Sequence, residues 1–252
     1  MKYYFLVAYL PEIHRDDKKL KIRFADLLSE KNHITEQDWK QVELLLLAGD
    51  LLQIERLLRG KSMEVEYSLY GMEFWREQLK SPKDVPEFMA EPFETIAAEG
   101  LSPRNLERLH ESYYNYVIEK TSSPFLRAYM IFERDLRNTV AAIRARRRGL
   151  QPSDSVVGEG DVVDQLSRSS AEDFGLTVEY PWVEKIVSAK GPLEMEEAIQ
   201  QIIWDTIDEM TEKLDFDFDV VLAYLLKLHL VERNISLSEE QGMETVRYLE
   251  EL

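Results

Sequence analysis

The chain has 252 residues, 44% of them hydrophobic, which is enough for one large core or two modest ones. It contains no cysteine, which excludes disulfide frameworks and thiolate metal sites and is typical of a cytoplasmic protein. The formal net charge of −17 disfavours binding to nucleic acid and to anionic lipid, so we expect proteins or small molecules as partners.

The apolar run at residues 3–10, within the opening MKYYFLVAYLPEI, is too short to span a membrane, and no signal-peptide cleavage site follows it. The most apolar later segment, 220–231, is interrupted by Lys227 and His229. We therefore expect no direct insertion into a membrane. We interpret the opening run as a buried first strand or helix, and strand signals are scarce elsewhere.

Helical periodicity dominates the rest of the chain. Residues 35–60 begin with a potential N-cap at Thr35 and end at Gly60, and Gly49-Asp50 is a candidate break into two helices. Further helices are predicted at 62–80, 93–99, 103–120, 122–149 and 162–167, and three more at 181–252 with breaks near 191, at 214–219 and around 236–242.

These elements predict a mainly α, multi-helix bundle, with a short N-terminal strand as the β alternative for the opening run. The polar stretch 151–173 is rich in Gly, Ser and Asp and is interpreted as a loop or linker around its short helix. It separates an N-terminal helical region, 1–150, from a C-terminal helical region, 174–252. We expect the two regions to pack as one continuous domain.

Two short motifs resemble ligand sites but fail on their spacing. RGKS at 59–62 has the end of a phosphate-binding loop, but that motif needs glycine at position 55, where the chain has glutamate. DFDFD at 215–219 starts like a calcium loop, but Val220 and Leu226 stand where the loop needs glycine and glutamate. We interpret the first motif as a helix C-cap and the second as the N-cap of the next helix, with its phenylalanines packed.

The four histidines do not form a metal-ligand pattern. Only His229 has a carboxylate at a suggestive helical spacing, Glu232, and the pattern supplies no matching ligands for zinc or a di-iron site. No nucleophile elbow, zinc-protease motif or dinucleotide fingerprint occurs. We therefore expect no metal, no cofactor and no catalytic activity.

The long helix at 122–149 has one apolar face and a basic end. The apolar face contains Phe125, Tyr129, Phe132, Leu136, Val140 and Ile143. Glu133, at the edge of this face, is predicted to pair with Arg137 at i,i+4. Arginines at and before the helix end form either a solvated face or a contact for an acidic partner or phosphate. These candidate contacts are Arg137, Arg144, Arg146, Arg147 and Arg148.

The segment DVVLAYLLKLHLVERN is apolar on almost every side, which predicts burial or an interface. Its Glu232 needs a partner, such as an arginine of another helix, or else marks the end of the buried stretch. This segment and the long helix share a loose pattern, Ala-Tyr followed nine or ten residues later by Arg-Asn. We expect four side chains to be core positions: Tyr129, Phe132, Tyr224 and Leu225.

Three stretches resemble an uncharacterised bacterial family whose members are typically encoded among the subunits of V-type (A/V-type) ATP synthases. They are MKYYFLVAYLPEI, AIQQIIWDTIDEMT and FDFDVVLAYLLKLHLVERNISLSEEQG. In addition, ERDLRNTVAAIRARRRG is similar to a motif of the C-type socket protein of archaeal and bacterial V-type ATPases, which recurs in each repeat of a helical cone. The matching positions are Glu133, Arg137, Asn138, Arg146 and Gly149, with Glu232, Arg233 and Asn234 in the last repeat.

The resemblance implies a non-catalytic accessory or central-rotor component that acts as a socket between the central shaft and the membrane proteolipid ring. It also implies a location peripheral to the inner membrane, and a monomer in isolation. The chain departs from the C-type socket protein because it is shorter, because 35–60 lacks the Arg-Asn element, and because VERNISLSEEQG is not followed by more basic residues. Two alternatives stay open: an unrelated acidic helical adaptor or regulator, and a phosphate- or nucleotide-binding enzyme built on the arginines.

Overall fold

The computed structural model of the protein describes residues 2–250, apart from the side chains of Pro103 and of 238–250. Within these residues the chain forms eleven α-helices, three short 3-10 helices and no strand, which confirms the mainly α fold class. The α-helices are α1 (Tyr4–Tyr9), α2 (Phe24–Ser29), α3 (Glu36–Leu58), α4 (Met72–Lys80), α5 (Ala90–Glu99), α6 (Pro103–Lys120), α7 (Pro124–Arg147), α8 (Asp161–Arg168), α9 (Trp182–Ser188), α10 (Pro192–Thr211) and α11 (Phe218–Glu250). The 3-10 helices are Glu30–His33, Glu87–Met89 and Pro152–Ser155.

The opening run is helix α1, so the strand alternative is wrong. An isolated strand leaves its N–H and C=O groups without a ladder, and the described chain offers no second strand to pair with. The run is also less buried than predicted. Tyr3 and Leu6 are buried, whereas Phe5 is 79% exposed.

Helix α3 is continuous, so the predicted break at Gly49-Asp50 does not occur. A Cβ atom on Gly49 would lie 2.2 Å from the main-chain oxygen of Tyr67, so glycine is needed there because another segment passes close to the helix. The next residue, Asp50, accepts hydrogen bonds from the main-chain N–H groups of Leu69 (2.9 Å) and Tyr70 (3.1 Å). The pair therefore holds a neighbouring segment instead of ending the helix.

The predicted helix at 62–80 is present only in its second half, as α4. Its first half follows α3 in a non-helical conformation because side chains of α3 bind its main chain. Gln53 accepts a hydrogen bond from Val65 N at 2.7 Å, and Asp50 binds the two N–H groups further along. These bonds satisfy main-chain donors that a helix would otherwise use internally.

Helix α11 continues from Phe218 to Glu250, so the predicted break around 236–242 is also wrong. The signals used there were Ser236 and Gly242, which weaken a helix by about 0.5–1 kcal/mol each but do not sterically end it as proline does. The other separations at 191 and 214–219 are confirmed by the ends of α9, α10 and α11.

The contacts divide the chain into two compact units, residues 1–39 with 200–252, and residues 40–199. In the first unit, α1 and α2 contact α11. In the second unit, α6 lies against α5 and α7, and α7 also contacts α8, α9 and Pro152–Ser155. Residues 151–173 thus pack on α7 within one unit instead of linking two regions, and they contain the predicted short helix as α8.

These units differ from the predicted regions 1–150 and 174–252, because both ends of the chain belong to the same unit. Tyr3 N donates a hydrogen bond to Phe216 O at 2.7 Å, a contact that local sequence signals do not predict. No helix of the described residues is both long enough and apolar enough to cross a bilayer.

Candidate functional site

The candidate site is built on α7, whose two ends are set by local sequence. At the N-terminus, Ser123 Oγ accepts a hydrogen bond from Leu126 N at 2.9 Å, and Pro124 occupies the first helical position. At the C-terminus, Gly149 adopts φ 73°, and Leu150 N donates to Ala145 O at 2.9 Å. This is the left-handed glycine termination of a Schellman motif.

The predicted apolar face of α7 is confirmed, since every member of it is buried: Phe125, Tyr129, Phe132, Leu136, Val140 and Ile143. Asn138 lies among buried residues of the same helix and binds the main chain of the segment after α7. Its Nδ2 donates to Val157 O at 2.8 Å, and its Oδ1 accepts from Val157 N at 3.0 Å. One amide side chain thus replaces a pair of main-chain hydrogen bonds and fixes residue 157 against α7.

Arg137 does not form the predicted pair with Glu133. Its guanidinium instead binds Glu107 on α6, with Nη2 at 2.8 Å from Oε1 and 2.9 Å from Oε2. Nε of Arg137 also lies 3.3 Å from Oε2, so two guanidinium nitrogens contact the carboxylate, and such a pair is stronger than a single charged contact. Arg137 therefore connects two helices of the second unit.

Glu133 is left in a cluster with the tyrosines of α6 and α7. Burial raises its pKa from 4.5 to about 7, while the Arg137 charge opposes this rise. Burial first, and then the nearby Glu133 charge, raise the pKa of Tyr113 and Tyr129 well above their ordinary value. Among the described residues, the buried Tyr113 hydroxyl has no hydrogen-bond partner. Burial in this cluster thus disfavours the charged form of both the carboxyl and the tyrosine hydroxyls.

The basic end of α7 divides into two groups of arginines. Arg146 donates to the main-chain oxygens of Ser169, at 2.7 Å, and Ala171, and its guanidinium carbon lies 3.6 Å from the centre of the Phe174 ring. Arg147 donates to Val187 O at 2.8 Å. These two side chains stabilise loops of their own unit, so less of their donor capacity is left for an outside phosphate or carboxylate.

The side chains of Arg144 and Arg148 are exposed and form no hydrogen bond or ion pair within the part of the chain that the structure describes. A contact for an acidic partner on this helix would therefore use these two side chains first. The partner role of all five arginines stays a prediction.

In the first unit, α11 carries the second set of predicted positions. Glu232 Oε1 accepts a hydrogen bond from Phe24 N, the first residue of α2, at 2.8 Å. The partner in this contact is the N-terminus of a helix. Glu232 also directly follows Val231, the last buried side chain that the structure describes in α11, as expected if it marks the end of the buried stretch. Asn234 Nδ2 donates to Gln200 Oε1 at 2.9 Å, and the adjacent Arg233 is exposed.

The two predicted core positions of α11 differ in burial. Leu225 is fully buried. Tyr224 is only half-buried, and burial, followed by the charge of Asp17, raises its pKa to about 12. Its hydroxyl is buried and has no hydrogen-bond partner among the described residues.

Sequence reasoning missed the polar centre at Asp50, which also accepts a hydrogen bond from Trp75 Nε1 at 2.7 Å. A signal was available, because an aspartate next to glycine inside a leucine-rich helix must be satisfied by a partner. The described residues contain no group of three or more metal-ligating side chains placed to hold an ion. Both motifs rejected on spacing are helix boundaries: Gly60 (φ 74°) follows the end of α3, and Asp217 precedes α11.

The helices and their contacts define a mainly α protein of two helical units. The chain belongs to the family described as "Protein of unknown function (DUF2764)", which matches residues 1–251. An uncharacterised protein of Chlamydia muridarum (strain MoPn / Nigg) is 24% identical over 266 residues, covering 99% of this chain and 97% of the relative. No solved structure matches the chain. Membership of an uncharacterised family is thus confirmed, and its association with V-type ATPases stays a prediction.

Proposed function

We propose that the protein is a non-catalytic accessory or central-rotor component of a bacterial V-type ATPase. It acts as a socket, similar to the C-type socket protein of such complexes, between the central shaft and the membrane proteolipid ring. It works at the cytoplasmic side, peripheral to the inner membrane, and is monomeric when isolated. The proposal originates in two sequence resemblances. The α7 segment is similar to a motif of the C-type socket protein, and three other stretches resemble a family that is typically encoded among the subunits of such complexes.

The observation that supports the proposal best is that the motif residues of α7 bind other segments of the same unit. Arg137 binds Glu107 on α6, Asn138 binds both main-chain groups of Val157, and Arg146 binds the loop after α8. A protein that transmits torque must resist bending, and hydrogen bonds between closely packed segments supply this stiffness. These contacts therefore support a mechanical role for α7.

The arginines Arg144 and Arg148 are the contacts that we assign to an acidic surface of the shaft or ring. A guanidinium binds a carboxylate through two parallel N–H groups, which orients the partner as well as attracting it. Their positive charge is local to one helix end, whereas the chain as a whole carries a net charge of −17. An acidic partner is thus drawn to this end in preference to the rest of the surface.

The test is capture of the purified shaft proteins by the immobilised protein and by its Arg144→Glu/Arg148→Glu variant. We expect the variant to keep its circular dichroism spectrum, because both side chains are exposed, and to lose at least about tenfold in affinity. Lys61→Glu/Lys80→Glu, which reverses two exposed lysines of the same unit, is the matched control. Equal capture by all three proteins would refute the arginine contact, and loss of fold in the variant would show a structural role instead.

The net charge of −17 favours a second candidate, an acidic helical adaptor or regulator unrelated to the ATPase. Such a protein would bind a basic partner, and when immobilised it would capture none of the ATPase components. Capture therefore separates the two candidates.

A further inference from the structure

Helix α1 presents an aromatic face to solvent. Tyr4, Phe5 and Tyr9 are 61%, 79% and 58% exposed, and the exposed Ala8 completes the face. Positions 4, 5, 8 and 9 lie on one side of a helix, since residues three and four apart are neighbours. Burying a large apolar side chain is favourable, so three largely exposed aromatic rings in one place are not what core packing produces.

Phe216 extends this face from a second segment. Its ring centre lies 4.7 Å from that of Tyr4, and its main-chain oxygen accepts the hydrogen bond from Tyr3 N at 2.7 Å. We call Tyr4, Phe5, Tyr9 and Phe216 the aromatic patch. Rigid aromatic side chains at a surface give much contact area at little entropic cost, and they are enriched at the centres of protein interfaces.

The segment that carries Phe216 is strongly acidic. Residues 205–219 contain seven carboxylates against one lysine. Two of the seven are neutralised, because Lys227 binds Asp208 and Lys2 binds Asp217. Three others are exposed and have no ion pair within the described part of the chain, and we call them the acidic rim: Glu209, Glu212 and Asp215.

A cavity of about 260 Å³ adjoins α1. Its lining is mainly apolar and includes Val7, Leu10, Ile13, Val220 and Tyr224. Its two charged members are Glu12 and Lys227, and Lys227 is the lysine that binds Asp208. The Tyr224 hydroxyl has no hydrogen-bond partner among the described residues, although the atom is buried. Buried polar atoms in native proteins are nearly always paired, so this hydroxyl is a position where an incoming donor or acceptor would gain a bond.

We propose that the aromatic patch and the adjoining cavity bind a basic amphipathic helix of a partner protein. Its apolar side chains would cover the aromatic rings, and its lysines and arginines would face the acidic rim. Anionic lipid headgroups, nucleic acid and the acidic surface of a second copy carry the wrong charge for this rim. The inference does not depend on the ATPase proposal, because it concerns other residues and a basic partner instead of an acidic one.

The test is fluorescence anisotropy of a labelled leucine-lysine amphipathic peptide of about 14 residues, titrated with the full-length protein at about 25 mM and about 300 mM salt. We expect the peptide to bind, and binding to weaken at the higher salt. The analogue with glutamate in place of lysine is expected not to bind. Binding of the acidic analogue, or binding that ignores salt, would overturn the assignment of charge.

Variants locate the surface. Phe5→Ser/Tyr9→Ser and Glu212→Lys/Asp215→Lys are each expected to weaken peptide binding by about tenfold or more. The matched control, Val178→Ser/Leu193→Ser, removes two exposed apolar side chains of the second unit and is expected to leave binding unchanged. Tyr9→Lys adds to the patch a charge that repels a basic partner, and this single change is likewise expected to weaken peptide binding.

Three results would overturn the proposal. One is equal binding by the patch variants and the control. Another is binding of the protein to vesicles of phosphatidylglycerol that Phe5→Ser/Tyr9→Ser abolishes, which would make the patch a lipid contact. The last is a dimer in sedimentation velocity that the same variant dissociates, which would make the occupant a second copy of this chain.

Discussion

Replacing Glu133 by glutamine tests the cluster between α6 and α7. In the folded protein burial raises the pKa of this carboxyl from 4.5 to about 7. Between pH 4.5 and about pH 7, the folded state therefore still holds a proton that the unfolded state has released. Stability falls as pH rises through this window, since the unfolded state binds fewer protons there.

The magnitude follows from the shift. A change from 4.5 to about 7 corresponds to about 3 kcal/mol of unfolding free energy lost by pH 8, at about 1.4 kcal/mol for each pH unit. Glutamine has the shape of the protonated acid and no charge. We therefore expect Glu133→Gln to raise the free energy of unfolding by about 1–3 kcal/mol at pH 8, and to leave it nearly unchanged at pH 5.

The assay is urea unfolding followed by circular dichroism at several pH values between 5 and 8. Glu77→Gln, at an exposed carboxylate of the same unit, is the control and is expected to change little at any pH. A stability difference for Glu133→Gln that does not vary with pH would refute the reasoning. So would destabilisation at pH 8, which would mean that the charged form is favoured by the fold.

Three further changes are predicted. Gly49→Ala should lower the free energy of unfolding by about 1–3 kcal/mol, because its Cβ would lie 2.2 Å from the Tyr67 main-chain oxygen. The control Gly191→Ala, which has open space around its Cβ, should not lower it. Thermal melting of the two variants distinguishes these outcomes. Asn138→Ala should lower the free energy of unfolding by about 2–4 kcal/mol, measured with urea, since it leaves the buried N–H and C=O of Val157 unpaired. Burial and a nearby guanidinium lower the pKa of His110 from 6.5 to about 3, so stability should fall as pH drops through this window. His110→Gln should flatten that fall, and an unchanged acid slope would show that this histidine is not responsible.

Sequence signals predicted the helices whose ends are locally encoded. The start of α7 at Ser123-Pro124 and its end at Gly149 needed only capping residues and a left-handed glycine. Its buried face followed from a period of 3.6 residues. Such features depend on neighbours within one or two turns, so one sequence is sufficient to find them.

The wrong secondary-structure predictions came from contacts between residues that are distant in sequence. The first half of 62–80 is not helical because Gln53 and Asp50 bind its main chain. No local pattern shows where a helix will accept such bonds. The break predicted at Gly49 reflects the same difficulty, because glycine inside a helix can mark either an end or a close approach of another segment.

The charges of α7 were found by sequence, but their partners were not. A guanidinium near a helix end can face solvent, a carboxylate or main-chain oxygens, and composition does not distinguish these. Arg137 binds a glutamate 30 residues away and Arg146 binds loop oxygens, while Arg144 and Arg148 are exposed. The exposed rings of α1 were missed because an apolar run near proline is expected to be buried.

The measurement that tests the proposed function most directly is size-exclusion chromatography of the isolated protein mixed with cognate central-shaft proteins and detergent-solubilised proteolipid ring. The socket role predicts co-elution with both in a single complex. Elution of the folded protein alone would contradict that role and would favour a regulator whose partner lies outside the ATPase.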